Sequence, residues 1–443
     1  MASGLAPLLL PVAAPAQAAA ATGLARNAEA KPDARRWNAA WTDWRGLSFD
    51  SSLPIEARAP DTGSSPFDLD EVRFSGLLGG RLEIDGAAYT TGGSLTGFDD
   101  GFDLRRARVT LKGAGKLTLP FGYSVELDYS PGSFNVTEAY LSFPTLLDFG
   151  DLQFGQFTPP VGLQTFTSSW DIGFMEPAAP LTALVPQPQP GAQLTGTHGD
   201  RRGSWAIGAY VGLRSDGQYG SSGQGVGSTM GRATWLAVDA IEPQRPRENR
   251  LLHLGASGVL QFAADGEIRY RSRPESHNAP YVIDTGTIAA TRAGTLGLEM
   301  LWVDARFSAQ GEVMLSRVED ASGQTLRFGG LYAQASWYLT GESRPYDTAQ
   351  GKPGRLVPRS NFGFGPGAGW GALEAGARVS YTDLEDGSVQ GGRLAMLMTT
   401  LNWYLRPQLK LAFELGTGRV AGKPLDGNGR LVVGQLRLGT YFY

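Results

Sequence analysis

Gln408-Leu409-Lys410-Leu411-Ala412-Phe413-Glu414-Leu415 alternates along its whole length. A β-strand sends successive side chains to opposite faces, so Leu409, Leu411, Phe413 and Leu415 share one face. Gln408, Lys410, Ala412 and Glu414 share the other. The pattern recurs through the last third of the chain, about ten residues at a time, and the sequence ends Gly-Thr-Tyr-Phe-Tyr at Tyr443. Many such strands before an aromatic end predict an all-β fold. The expected form is a closed antiparallel transmembrane β-barrel, apolar outside and wet inside.

Composition agrees with this reading. Gly accounts for 61 of 443 residues, a usage suited to tight turns and crowded inter-strand contacts. Hydrophobic residues make up 42%, yet no apolar run approaches the ~20 residues of a membrane helix. A barrel hides its membrane character in this way, because only alternate residues face lipid. The absence of cysteine excludes disulfides, thiolate metal sites and cysteine nucleophiles. A net charge of -4 argues against nucleic acid as a partner. The basic residues are 33 Arg and 6 Lys.

The chain divides into three parts. Residues 1–18 are signal-peptide-like: Leu8-Leu9-Leu10-Pro11-Val12-Ala13-Ala14 is a short apolar core, and Ala16-Gln17-Ala18 fits a cleavage site. No Lys or Arg precedes Arg26, so the basic start of such a segment is missing, and an Ala/Pro-rich tail is the alternative. Residues 19–71 lack sustained alternation and read as an N-terminal periplasmic extension. Residues 72–443 read as the barrel.

Alternation places strands near 81–85, 106–112, 119–129, 138–143 and 152–157. Others fall near 190–198, 204–213, 228–238, 251–262, 294–303 and 306–318, then 326–340, 370–383, 392–405, 408–418 and 431–443. That is sixteen. Glu267-Ile268-Arg269-Tyr270-Arg271 competes as a seventeenth, and parity decides against it. An even barrel keeps both ends in the periplasm. Counting back from Tyr443 puts the long loops near 158–188 and 264–292 outside. It puts the long connection 342–368 on the periplasmic side, where such length is unusual, and its expected place is the lumen.

Several stretches together resemble the phosphate-selective porin O and P family. They begin with Phe102-Asp103-Leu104-Arg105-Arg106-Ala107-Arg108-Val109, Tyr123-Ser124-Val125-Glu126-Leu127-Asp128-Tyr129 and Glu138-Ala139-Tyr140-Leu141. Gly155-Gln156-Phe157-Thr158-Pro159-Pro160-Val161-Gly162-Leu163, Thr167-Ser168-Ser169 and Phe174-Met175-Glu176 follow. Tyr338-Leu339-Thr340-Gly341-Glu342-Ser343-Arg344-Pro345-Tyr346 and Asn402-Trp403-Tyr404-Leu405 complete the set. The resemblance covers roughly 72–443. It implies a sixteen-stranded homotrimeric porin of a Gram-negative outer membrane, set in outer-membrane lipid. In such a porin inward-folded loops narrow the pore and luminal Arg and Lys draw small anions such as phosphate through it.

Anion selection needs positive charge in a narrow passage, and the planar donor fork of Arg matches phosphate oxygens. The resemblance points to Arg105 and Arg106 at the constriction. Alternation turns Arg106 and Arg108 inward and leaves Arg105 facing lipid unless a bulge intervenes; lumen filler paired with acids is the alternative for all three. Ser168 and Ser169 match loop positions at the family's constriction, or else form a turn. Glu138 aligns with an acid near the anion site, or else is a luminal salt-bridge partner. Two departures predict a weaker, less selective anion site: Trp170 and Pro177 stand where the family often has Arg. Loop 158–188 contains Asp171 and Glu176 but no Lys or Arg.

Charge must then come from elsewhere. Arg269, Arg271 and Arg273, spaced by two, are candidates for an arginine ladder, as are Arg344, Lys352, Arg355 and Arg359 in the connection 342–368; solvated loop charge is the alternative. The wall acids read as Glu83, Asp85, Glu126, Asp128, Glu138, Glu299, Glu312, Glu374 and Glu414. The wall bases read as Arg81, Arg106, Arg108, Lys112, Arg232, Arg306, Arg378 and Lys410, so the two nearly cancel. The histidines are His198, His253 and His277, with no nucleophile motif beside them, so an enzyme is not expected. No cofactor and no metal are expected either. The function expected is passive diffusion of small anions. A weakly selective general porin for small polar solutes and a plugged structural or adhesive barrel are the alternatives.

Overall fold

Alternating strands leave one apolar and one polar face, and a sheet with two open edges in a membrane must close. The computed structural model describes residues 38–42, 46–53, 72–116, 119–130, 133–147, 149–211, 226–241, 249–365, 368–422 and 427–442. Sixteen antiparallel strands form the barrel. They are β1 Val72–Gly93, β2 Gly101–Lys116, β3 Pro120–Ser130, β4 Ser133–Leu147, β5 Gly150–Phe157, β6 Gln189–His198, β7 Gly203–Val211 and β8 Val226–Ala240. Then come β9 Arg250–Ile268, β10 Ile288–Asp304, β11 Phe307–Asp320, β12 Thr325–Tyr338, β13 Ala372–Asp386, β14 Val389–Arg406, β15 Leu409–Ala421 and β16 Gly429–Phe442. Each pairs with the next, and β16 closes on β1 from Gly429 opposite Gly93 to Phe442 opposite Gly80.

Every expected strand is present, and the expected faces hold. Phe413 and Leu415 point outward while Lys410, Ala412 and Glu414 are buried in the lumen. The segment 267–271 is not a seventeenth span. β9 ends at Ile268, and Arg271–Ser272 turns back to pair with Ile283–Asp284 inside the following loop. Six tryptophans, Trp205, Trp235, Trp302, Trp337, Trp370 and Trp403, ring the periplasmic ends of the strands, where amphipathic rings suit the membrane boundary.

Two readings need correction. Arg306 lies in the short turn between β10 and β11 and is exposed, so it is no wall residue. Strands also occur within 19–71. Asn38–Thr42 and Gly46–Leu53 form a hairpin, and its second strand pairs with Val72–Leu78 of β1. The physical reason is an unfilled edge: β16 reaches β1 only from Gly80 onward, so the start of β1 would otherwise leave its ladder unpaired. Residues 1–18 and the rest of 19–71 lie outside the described residues.

Among the described residues, three connections enter the lumen. Loop 158–188 carries two short helices, α1 Leu163–Phe166 and α2 Ala179–Leu184. Loop 269–287 enters from the same, extracellular side, and segment 339–371 rises from the periplasmic side, as its length predicted.

Candidate functional site

Loop 158–188 is built to pack. Val161, Leu163, Trp170, Ile172, Phe174, Met175 and Leu181 are all at most 2% exposed. Gly162, with φ 73°, makes the turn into α1, and a Cβ there would come within 3.0 Å of Glu312 Oε2. The free N–H groups at the start of α1 donate to Glu312 of β11, Leu163 at 2.7 Å and Gln164 at 2.8 Å. Further on, Asn402 of β14 donates to the Gly173 carbonyl at 2.6 Å, and the Met175 N–H donates to Glu414 of β15 at 2.6 Å. The loop leaves the barrel between β5 and β6 and docks on the opposite wall.

At its far end Glu176 meets the arginine pair. Arg105 donates two bonds to the carboxylate, at 2.7 and 2.9 Å, and Arg437 of β16 adds a third at 2.8 Å. Burial raises the Glu176 carboxyl, but the charges of Arg105, Arg106 and Arg437 outweigh it and hold it well below the usual range. Arg105 reaches inward through a β-bulge: Glu83 faces Arg106 and Ile84 faces Leu104, leaving Arg105 as the extra residue. Both arginines of the pair therefore face the lumen.

Both are also paired with carboxylates. Arg106 donates to Glu83 at 2.5 Å, and Glu83 takes a second guanidinium from Arg81. Arg437 holds Asp85 with two bonds of 2.6 Å. Four guanidinium groups thus share three carboxylates, Glu83, Asp85 and Glu176. Arg108 is satisfied by Asp128 and Glu126, each at 2.8 Å. Glu138 accepts from Ser124 and lies 3.6 Å from Lys112, as a salt-bridge partner would. Ser168 closes a turn, its carbonyl accepting from the Asp171 N–H at 2.8 Å. Ser169 Oγ accepts from Arg81 at 2.8 Å.

Trp170, one of the two departures, anchors the loop. Its ring is 1% exposed, lies 6.0 Å from Tyr441 and packs over Gly439, where a Cβ would sit 2.8 Å from it. Arg81 and Lys410 stand 5.6 and 5.5 Å from the ring.

Three cations, Lys410, Lys352 and Arg344, lie under the loop. Lys410 donates to the Trp170 carbonyl at 3.2 Å, Lys352 to Phe166 at 3.3 Å and Arg344 to Asp171 at 3.5 Å. None of these three has a carboxylate within ion-pair distance among the described residues. Arg344 is 3% exposed and its Nε has no partner. Lys352 keeps part of its surface open but sits deep in the lumen, and burial lowers its ammonium to about 8 against the pull of Asp347 and Glu138. Arg355 stacks on Tyr441 at 3.7 Å. Arg359 stays exposed, donating to the Thr340 carbonyl at 3.4 Å, outside this cluster.

Segment 339–371 is fixed to the wall. Arg232 donates to the carbonyls of Gln350 and Gly351, and Tyr346 bonds His253 Nδ1 at 2.6 Å. Above loop 158–188, Glu275 of loop 269–287 accepts from Arg378, Ser380 and the Ala179 N–H, locking the two loops together. In the same loop Arg269 is neutralised by Asp284, whereas Arg271 and Arg273 stack on Tyr281 at 4.1 and 4.7 Å.

Glu176 was visible in the sequence as a loop acid, but its partners were not. Arg437 was missed, although Leu436-Arg437-Leu438 carries the alternation that places it inside.

The sequence model of the family described as phosphate-selective porin O and P matches residues 78–421. Porin O of Pseudomonas aeruginosa is 25% identical over 385 residues, 77% of this chain and 82% of that protein. An "Uncharacterized protein" of Caulobacter vibrioides is 27% identical over 364 residues, 80% of this chain and 70% of that one. Among solved structures, an anion-selective porin from Comamonas acidovorans shares the fold with TM-score 0.53 at 12% identity, over 83% of this chain and all of that one. With the family matched across most of a closed sixteen-stranded barrel, this chain belongs to the phosphate-selective porin O and P family, channel proteins of the Gram-negative outer membrane.

Proposed function

We propose that the protein passes small anions, phosphate-like in the manner of its family, with the selecting charge on the periplasmic underside of loop 158–188. One observation carries this reading. Arg344, Lys352 and Lys410 converge on that loop, yet among the described residues they bond backbone carbonyls and no carboxylate. Their charge is therefore not cancelled by a paired acid, and in a confined lumen its field acts on a passing anion over a short, poorly screened distance. Arg271 and Arg273, which stack on Tyr281 and have no carboxylate within ion-pair distance among the described residues, form the outer approach. Arg105, Arg106 and Arg108 serve mainly to hold the loop and wall.

The test is the reversal potential of single channels in a salt gradient. Lys352→Ala and Arg344→Ala should each move it toward cations, and Arg106→Ala should move it less. Equal shifts in all three would restore the arginine pair as the filter. A second reading, a weakly selective general porin, is favoured by the near balance of luminal charge; it predicts a potential near zero that none of these changes moves. A homotrimeric assembly is part of the same proposal, with the mass of the detergent-solubilised protein as its check.

A further inference from the structure

The outer surface of the barrel carries a feature unrelated to the pore. Arg317 of β11 and Arg327 of β12 are directly opposed across the two strands, and both are exposed on the outward face. Like charges directly opposite in a sheet repel, so the pair needs a counter-charge. None is supplied among the described residues. Arg317 bonds only the Thr325 hydroxyl, at 3.4 Å, and no carboxylate lies within ion-pair distance of either guanidinium among the described residues. The nearby acids are engaged elsewhere: Glu319 with Arg292, Asp383 and Glu385 with Arg393, and Asp386 with the Arg327 backbone N–H. Arg419 and Arg430 repeat the motif on β15 and β16, opposed and exposed.

These arginines sit near the strand ends opposite the tryptophan ring. With both chain ends periplasmic, this is the level of the outer-leaflet headgroups. Beside Arg317 and Arg327, and lined by both, lies an apolar groove of about 660 Å³. Glycines cut it: Gly231 faces Gly258, and Gly294 faces Leu260, all on the outward side. A Cβ at Gly258 would meet nothing nearer than 4.0 Å, so the missing side chains leave open space. Leu260, Leu296 and Leu315 flank it.

We propose that Arg317 and Arg327 bind a phosphate of a phosphorylated outer-leaflet glycolipid, one of whose acyl chains lies in this glycine groove. Two guanidinium forks set side by side suit a phosphate's oxygens, and the groove is apolar and continuous with them. Charge complementarity selects this occupant over a two-fold contact with a second copy of the chain, which would bring arginines against arginines.

The full-length protein in detergent is titrated with hexa-acylated, bis-phosphorylated lipid A, and bound lipid is counted by native mass spectrometry. Arg317→Ala/Arg327→Ala should weaken binding at least tenfold. The Arg317→Lys/Arg327→Lys double variant should retain most of it, and Gly294→Leu, which fills the groove and keeps both charges, should weaken it several-fold. Retained heat-modifiable migration on gels shows that each barrel is folded. Undiminished binding by the alanine variant would overturn the proposal. So would equal binding of lipid A stripped of its phosphates, or equal competition by inorganic phosphate, which would mark a free-anion site. A change of oligomeric state in the alanine variant would instead make this face a subunit interface and overturn it as well.

Discussion

At the scale of single residues, Glu176 decides how much of the arginine charge is free. It is the one loop carboxylate that bonds both Arg105 and Arg437. Glu176→Gln removes a negative charge but keeps the shape, so Arg105 and Arg437 lose a counter-ion without losing their place. The channel should become more anion-selective, read as a reversal potential moved toward anions; a move toward cations would show that Glu176 acts on permeation only by holding the loop. Lys352 makes a pH-dependent prediction. Its ammonium is charged below about 8 and neutral above it. Anion preference should therefore be full at pH 6 and fall as pH rises through 8. Lys352→Arg keeps its charge over that range and should abolish the dependence. A wild-type profile flat from pH 6 to 9.5 would remove Lys352 from the selecting charge.

At the scale of elements, loop 158–188 behaves as a packed arch and Trp170 is its keystone. Trp170→Ala empties a site between Tyr441, Gly439 and the Arg81 and Lys410 side chains, a loss on the order of 3 kcal/mol for a fully buried Trp. The barrel ladders do not depend on it, so the expected outcome is a folded barrel with a noisier, wider channel, measured as single-channel conductance and its fluctuation. An unchanged, quiet conductance would show that the other bonds of the loop suffice. The strands themselves were legible because alternation is local: Leu409 through Leu415 names its own two faces. The bulge at Arg105 was legible only as a condition, since an inward Arg105 breaks the period of two. What Arg105 meets there was not legible. Glu176 lies 71 residues away, and the path of the loop across the lumen decides the encounter. The hairpin 38–53 was hidden for a related reason, because the free edge of β1 that it covers exists only once β16 has closed on the rest of that strand.

At the scale of the whole molecule, the barrel and its inserts are separable. β12 and β13 pair continuously from Gly329 opposite Asp383 to Tyr338 opposite Glu374, a ladder that needs nothing from the chain between them. Segment 339–371 instead serves the lumen. It brings Arg344 and Lys352 beneath loop 158–188 and is held there by Arg232 and His253. Replacing residues 343–357 with a short Gly/Ser turn should therefore leave a folded, closed barrel, checked by heat-modifiable migration and β-sheet circular dichroism. It should also remove three cations, Arg344, Lys352 and Arg355, and a partition from the periplasmic mouth. Conductance should rise while the reversal potential moves toward cations, and raising the salt concentration should erase the difference in selectivity, because the wider mouth is screened over ~8 Å at physiological ionic strength and less at higher salt. A rise in conductance with selectivity kept would place the selecting charge above the loop, at Arg271 and Arg273. A barrel that no longer assembles would show that the insert is part of the fold and not only of the pore.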